Sequence, residues 1–350
     1  MTSGVIRVAA VQLQPKLGDV EANLKKARRL VREALDAGAR WVVLPELFTT
    51  GLAFDDVMLD GHRSLEGEPM QVLKELAREG DATIGGSYLA EEGGHVYNTF
   101  VLATPTSVQT HDKDFPSGPI EHAYYAGGED SEFVSLLDGA SVNVESRNPI
   151  PSRDNSKQDG VFTLPGINVG VALCWEMIRH RTVARMLGKV DVVMASSAWP
   201  AIDPDVGFPG MSRKEVVDLN ETLLAMLRDA PNRLARMLGV PVIHANLVGR
   251  QRSTKLFDQS VEMVTRFCGE SRIVDGRGRT VACRSADEGE GLVVADLVLE
   301  KMSPESPESD GVWIPELHPI LENLWYVQGA AGREYYLKTT QPYRSSRPRV

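Results

Sequence analysis

The chain has 350 residues, 42% hydrophobic and 25% charged, which excludes disorder as a whole and supplies a core for one large domain or two ordinary ones. Lys and Arg number 38 against 48 Asp and Glu, a formal net charge of −10, so the global field repels nucleic acid and anionic membrane and neither is expected as a partner. No uncharged apolar run approaches the roughly 18 residues of a membrane span, and the start MTSGVIRVAAVQ lacks a basic stretch followed by an apolar one; both features predict a soluble cytoplasmic protein.

Short β-rich runs alternate with helical patterns along the chain, the pattern of an α/β layer fold. Val5–Leu13 reads as a strand. Asp19 caps a helix whose apolar positions Leu24, Ala27, Val31, Ala34 and Leu35 share one face, and Gly38 ends it. Strands follow at Trp41–Leu44, Ala82–Leu89, Tyr97–Ala103, Ile167–Leu173, Val190–Ser196 and Val240–Asn246. Ser212 to Glu215 has the spacing of a capping box and opens a long helical stretch that Pro231 is expected to interrupt or restart. Ser141–Gly160 is polar and aperiodic, a surface excursion, and Ser303–Asp310 is an acidic Pro/Ser linker. These bounds give a domain over 1–302 and a tail over 303–350, whose apolar residues Leu321, Leu324, Trp325 and Tyr326 predict docking on its own domain or at a subunit interface.

Three polar residues stand at strand ends, where an α/β protein projects side chains into a crevice. Glu46 follows WVVLP, Lys113 sits in HDKDFP, and Cys174 ends INVGVAL before a helical pattern. A thiol near a helix N-terminus and beside an ammonium is expected to have its thiolate favoured and to act as a nucleophile. A nearby carboxylate can accept the thiol proton, pass it to a leaving nitrogen and activate water. Lys113 and the backbone N–H of Trp175 can hold an oxyanion. Taken singly, each residue has a structural alternative: a small buried hydrophobe for Cys174, a loop charge for Glu46, an ion pair with Asp112 or Asp114 for Lys113.

The words PEL with Glu46, HDKDFP with Lys113 and ALCWE with Cys174, in that order, resemble the nitrilase superfamily of carbon–nitrogen hydrolases. Supporting words are AAVQLQP with GDVEANL, Tyr97-Asn98-Thr99, Ser196-Ser197-Ala198-Trp199, HANLVG from His244 and the late stretch FCGESRIVDGRGRTVA. The resemblance runs from about Val5 to about Leu299. It implies a four-layer αββα sandwich, a Glu–Lys–Cys triad working without metal or cofactor on a small-molecule amide or nitrile, and a homodimer or higher homo-oligomer. In that family Glu46 would be general base and acid, Lys113 the oxyanion stabiliser and Cys174 the nucleophile. Glu121, eight residues after the lysine, matches the second glutamate that positions lysine and substrate. The resemblance implies an amidase or carbamoyl-amide hydrolase releasing ammonia. Cys-Trp-Glu is instead the word typical of nitrilases, whereas Ser-Ser-Ala-Trp resembles the amidase branch. A catalytically silent binding protein and an acyltransferase are the remaining alternatives on the same fold.

Weaker signals carry less. Trp199 after VVMASS is expected to line the substrate pocket with Trp175. Gly127 to Ser131 reads as a turn rather than a phosphate loop, and Asp275 to Gly278 as a β-turn. The seven histidines, His62, His95, His111, His122, His180, His244 and His318, lack metal-ligand spacing, so no metal site is expected. Cys268 and Cys283 read as bystander thiols, and a Cys174 dyad with His180 or His244 ranks below the glutamate and lysine.

Overall fold

A computed structural model of the chain describes residues 4–128, 160–208, 210–256, 259–305 and 312–347. In the first half the elements are β1 (Val5–Gln12), α1 (Val20–Asp36), β2 (Trp41–Val43), β3 (Arg63–Ser64), α2 (Glu68–Gly80), β4 (Thr83–Glu92), β5 (His95–Ala103), β6 (Val108–Asp112) and α3 (Gly118–Tyr124). From residue 160 onward come β7 (Val161–Leu164), β8 (Ile167–Leu173), α4 (His180–Met186), β9 (Val192–Ser197), β10 (Pro200–Ile202) and α5 (Arg213–Leu238). The chain continues through β11 (Val242–Asn246), β12 (Val248–Leu256), β13 (Gln259–Cys268), β14 (Ser271–Val274), β15 (Thr280–Arg284) and β16 (Gly291–Val298). Two C-terminal helices follow, α6 (Pro319–Tyr335) and α7 (Gln341–Ser345).

The strands form two large sheets of matching design. One runs β16-β1-β2-β4-β5-β6 and the other β15-β14-β11-β9-β8-β7, each with three parallel strands at its centre and antiparallel strands outside. Side chains alternate between faces with the period of two that a strand imposes. Val8, Ala10, Trp41 and Val43 of the first sheet meet Val169, Val171, Val192 and Met194 of the second in one cluster between the sheets. The opposite faces are covered by helices. Ala9, Val11 and Val42 pack with Leu24 and Val31 of α1 and Leu73 and Leu76 of α2, while Ala172, Val193 and Ala195 pack with Leu227, Leu234 and Leu238 of α5. The order helix, sheet, sheet, helix is the αββα sandwich. A short third sheet, β10-β13-β12, stands beside it.

Local chemistry sets the helix ends. Asp19 accepts a hydrogen bond from the Ala22 N–H, and Ser212 and Glu215 close a reciprocal capping box on α5. Pro231 does not interrupt α5, contrary to expectation. Both halves of that helix bury an apolar stripe on the same sheet, Leu223 and Leu227 before the proline and Leu234 and Leu238 after it. This burial outweighs the cost of about 3 kcal/mol for an interior proline.

The C-terminal segment packs on its own chain: Trp313, Ile314, Leu317, Leu321 and Trp325 share a buried cluster with Cys174 and Trp175. Helix α6 crosses α3 closely, because a Cβ on Gly332 would lie 2.3 Å from the Pro119 carbonyl oxygen. The excursion at Ser141–Gly160 (Gly160 apart), the turn from Glu129 onward and most of the acidic linker lie outside the described residues.

Candidate active site

Glu46, Lys113 and Cys174 arrive on three loops from the two sheets. Glu46 follows β2 in a segment fastened to its neighbours. Ser87 accepts hydrogen bonds from the Leu47 and Phe48 N–H groups at 3.1 Å, and the Ser196 hydroxyl donates to the Leu44 carbonyl at 2.6 Å. Lys113 follows β6, its N–H donating to the Asn98 carbonyl at 2.9 Å. Cys174 directly follows β8 and opens a 3₁₀ turn, Cys174–Ile178. Two residues of these loops adopt the left-handed backbone region without being glycine, Leu47 at φ 51° and Cys174 at φ 52°. Such a conformation costs on the order of 1–3 kcal/mol and concentrates where a side chain must be aimed. A nucleophile on a sharp strand-to-helix turn is one such case.

The structure brings Glu46, Lys113 and Glu121 into contact, all buried. Lys113 Nζ donates to Glu46 Oε1 at 2.8 Å and to Glu121 Oε2 at 2.7 Å. Glu46 accepts two more bonds at 2.8 Å, from Asn98 Nδ2 to Oε1 and from the Ala198 N–H to Oε2. Glu121, in the first turn of α3, accepts from the Ser117 N–H at 2.7 Å and from the Tyr125 hydroxyl. Sequence reasoning assigned no part to Asn98, Ser117 or Tyr125.

One ammonium therefore serves two carboxylates, and the balance decides the state of the thiol. Burial alone would lower Lys113, but Glu121 and Glu46 outweigh it and hold the ammonium well above its ordinary value. Burial also raises Glu121, against the pull of Lys113. Cys174 is pushed well above the ordinary thiol range, first by burial and then by the charge of Glu46, with Lys113 opposing. The expectation of a favoured thiolate is corrected accordingly. The second carboxylate cancels the lysine, and water that would solvate a thiolate is excluded.

Glu176, two residues after Cys174, was given no role by the sequence and lies at the centre of a second polar group. Its carboxylate accepts from the Leu173 N–H and from the Asp114 N–H, each at 2.8 Å. It lies 3.4 Å from both His111 Nε2 and Arg185 Nη2, while Arg185 Nη1 donates to Asp114 at 2.6 Å. These partners drive Glu176 well below the carboxylate range although burial opposes them; Glu176 in turn raises His111, which burial alone would lower. The donor atoms of His111, Asp114 and Glu176 approach within 4.8 Å of one another, the spacing of a cation site, and the Arg185 guanidinium takes the cation's place there.

A cavity of about 160 Å³ opens at Cys174 and is bounded by Glu121, Trp175 and Ala198, with further walls from α5, β13 and α6. Trp175 lines it. Trp199 does not: it is wholly buried behind Trp175, the rings stacked at 5.6 Å, and Trp175 stacks on Trp325 at 5.3 Å. The polar Ser196-Ser197 that suggested a strand end at the pocket instead bond inward, Ser196 to Leu44 and Ser197 to His244.

The sandwich thus gathers a buried cysteine, a lysine and two glutamates around one cavity. The sequence pattern of the carbon-nitrogen hydrolase family matches residues 7–304, and the chain belongs to that family. It is similar to an omega-amidase NIT2 of Danio rerio, 32% identical over 52% of this chain and 59% of the relative, so it spans under two thirds of that protein. An arylacetonitrilase of Fusarium vanettenii is 23% identical over 85% of each chain. Among solved structures, a mutant amidase from Nesterenkonia sp. AN1, with acrylamide added to its active-site cysteine, matches with a TM-score of 0.57 at 20% identity. That match covers 83% of this chain and 93% of the amidase, and speaks for the fold. No helix among the described residues is long and apolar enough to cross a membrane.

Proposed function

We propose that this carbon–nitrogen hydrolase is an amidase or carbamoyl-amide hydrolase that releases ammonia through a thioester on Cys174. The observation that carries the reading is the buried bridge Glu46–Lys113–Glu121 beside a cysteine aimed by a left-handed turn. The Cys174 sulfur attacks the carbonyl carbon as its proton passes to Glu46, so no standing thiolate is needed. Lys113 and the Trp175 N–H hold the oxyanion, and Glu121 fixes Lys113 from the other side. Glu46 returns the proton to the departing nitrogen, then takes one from the water that opens the thioester. The acid leaves and the proton returns to sulfur. In the Nesterenkonia amidase, which shares the fold, an active-site cysteine carries added acrylamide.

A second reading, a nitrilase, is favoured by Cys174-Trp175-Glu176 and by relatives named as nitrilases. There a thioimidate precedes the thioester. The same reading places the hydrolase domain at 1–302 with a docking tail over 303–350, in a cytoplasmic homodimer or larger homo-oligomer. Three free cysteines accord with that compartment.

Intact-mass spectrometry of the enzyme quenched during turnover of a panel of amides and nitriles tests the chemistry. An acyl increment that is absent from Cys174→Ala supports it. No increment and no ammonia from the unaltered enzyme across the panel would leave a silent binding protein. Turnover of nitriles alone would select the second reading, and diversion of product by added amines an acyltransferase.

A further inference from the structure

The cavity at Cys174 has one chemical character away from the reacting atoms. Leu219 and Leu223 of α5, Ile202 of β10, and Leu321, Leu324 and Trp325 of α6 form its walls. Among the described residues the lining includes no Lys, Arg or His; its ionisable members are Glu121 and Cys174. Glu121 is already held by Lys113, Tyr125 and the Ser117 N–H, and Lys113 is shared between Glu46 and Glu121, so among the described residues the lining offers no free cation to a charged acyl group. Arg179 lies over the Phe115, Trp313 and Trp325 rings at 4.2, 5.2 and 5.8 Å and is not part of the lining. A second cavity of about 340 Å³ shares Ile202, Leu219 and Leu324 with the first, so the apolar trough continues from the cysteine toward the surface.

We propose that this pocket takes amides or nitriles of uncharged, apolar carboxylic acids, and that the C-terminal helix α6 supplies the wall that selects them. The inference rests on the hydrolase reading above and names its substrate class. A carboxylate on the substrate would lose its water with no counter-cation from the described walls, whereas a methylene loses only unfavourable hydration. Apolar acyl groups are retained and a second acid function is rejected. Leu321, Leu324 and Trp325 are specificity residues on this account, since they touch the acyl group and not the reacting bond.

Ammonia release from acetamide, hexanamide, phenylacetamide and the monoamide of butanedioic acid tests it. Each buried methylene adds roughly fourfold, so kcat/KM for hexanamide is expected to exceed that for acetamide by on the order of 100-fold. The charged monoamide should fall at or below acetamide. Leu324→Arg should raise the ratio of charged monoamide to hexanamide by about tenfold or more, through the new cation. Tryptophan emission of Cys174→Ala, read through Trp175 and Trp325, should shift with phenylacetamide and not with the charged monoamide. Cys174-dependent turnover that prefers the charged monoamide, or treats acetamide and hexanamide alike, overturns this proposal and leaves the hydrolase reading standing. If the unaltered enzyme turns over none of the four, the amidase reading fails, and the Cys174→Ala titration still decides the class of molecule that the pocket holds.

Discussion

Glu176 fastens the segment that carries Lys113 to the strand that carries Cys174: its carboxylate accepts the Asp114 N–H on one oxygen and the Leu173 N–H on the other, both at 2.8 Å. The relative placement of ammonium and sulfur thus depends on one buried side chain that touches neither substrate nor reacting atoms. Glu176→Gln keeps the shape but turns a donor toward one of those N–H groups and removes the charge opposite Arg185. Breaking a buried pair of this kind costs about 3 kcal/mol, and a slip near 1 Å in the site costs roughly 100-fold in kcat. Steady-state kinetics should show that fall with KM little changed; an unaltered kcat in a folded variant would deny Glu176 a positioning role.

His111 gives the same group a pH dependence. Its value is raised above 6.5 in the folded protein, by Glu176 with Asp114 and against both burial and Arg185. The folded state then binds the proton more tightly than the unfolded state, so this contribution is complete below about 6.5 and is lost as pH rises through the folded value. Glu176 behaves oppositely, its contribution present above its ordinary 4.5 and lost as pH falls. Urea midpoints should decline from pH 6.5 toward 9, and the decline should flatten in His111→Gln. Parallel profiles for both proteins would rule out the assignment.

Burial and then Glu46 raise the Cys174 thiol, which favours its protonated form at rest. Alkylation by iodoacetamide should accelerate about tenfold per pH unit from 7 to 9 without a plateau, following the thiolate fraction. A plateau near neutrality would show a standing thiolate and return the site to the charge balance first expected.

The left-handed backbone of Cys174 at φ 52° strains any residue with a Cβ. Cys174→Gly should therefore be more stable than Cys174→Ala, by about 1 kcal/mol. Thermal melts of the two inactive variants measure this directly, and a higher midpoint for the alanine form would remove the case for strain at the nucleophile.

Gly332 has no room for a methyl group: its Cβ would stand 2.3 Å from the Pro119 carbonyl oxygen and 2.9 Å from His122 Cβ. Gly332→Ala must push α6 away from α3, at a cost of about 1–3 kcal/mol. Because α6 lines the cavity and α3 carries Glu121, KM for hexanamide should rise more than KM for acetamide. Equal changes for both amides would show that the helix contact is structural alone.

Two strand ends were legible because Glu46 and Cys174 each follow a short apolar run, and the order of Glu46, Lys113 and Cys174 carried the family resemblance. The hairpin β12–β13 escaped notice for a physical reason. Its inward positions include Gln251 and Ser253, buried polar residues that bond to the Leu52 and Phe54 N–H groups, so its period of two does not appear in hydropathy. Trp199 was misplaced because an aromatic after a strand has the same local sequence whether it fronts a pocket or stands behind the wall. The state of the thiol depended on counting charges around Lys113, and that count needs Glu46 and Glu121 at 2.8 and 2.7 Å rather than 67 and 8 residues away.

On the proposed reading, one selecting wall of the cavity lies outside the stretch that carries the chemistry. The family pattern ends at residue 304, whereas the helix bearing Leu321, Leu324 and Trp325 begins at Pro319. Mutations in that helix can therefore alter which acyl group fits while Glu46, Lys113 and Cys174 stay under their own constraint. A lineage can explore new substrates by drift in one appended segment, with bond cleavage kept intact upstream, and a graft of that segment between relatives becomes a direct route to exchanging their preferences.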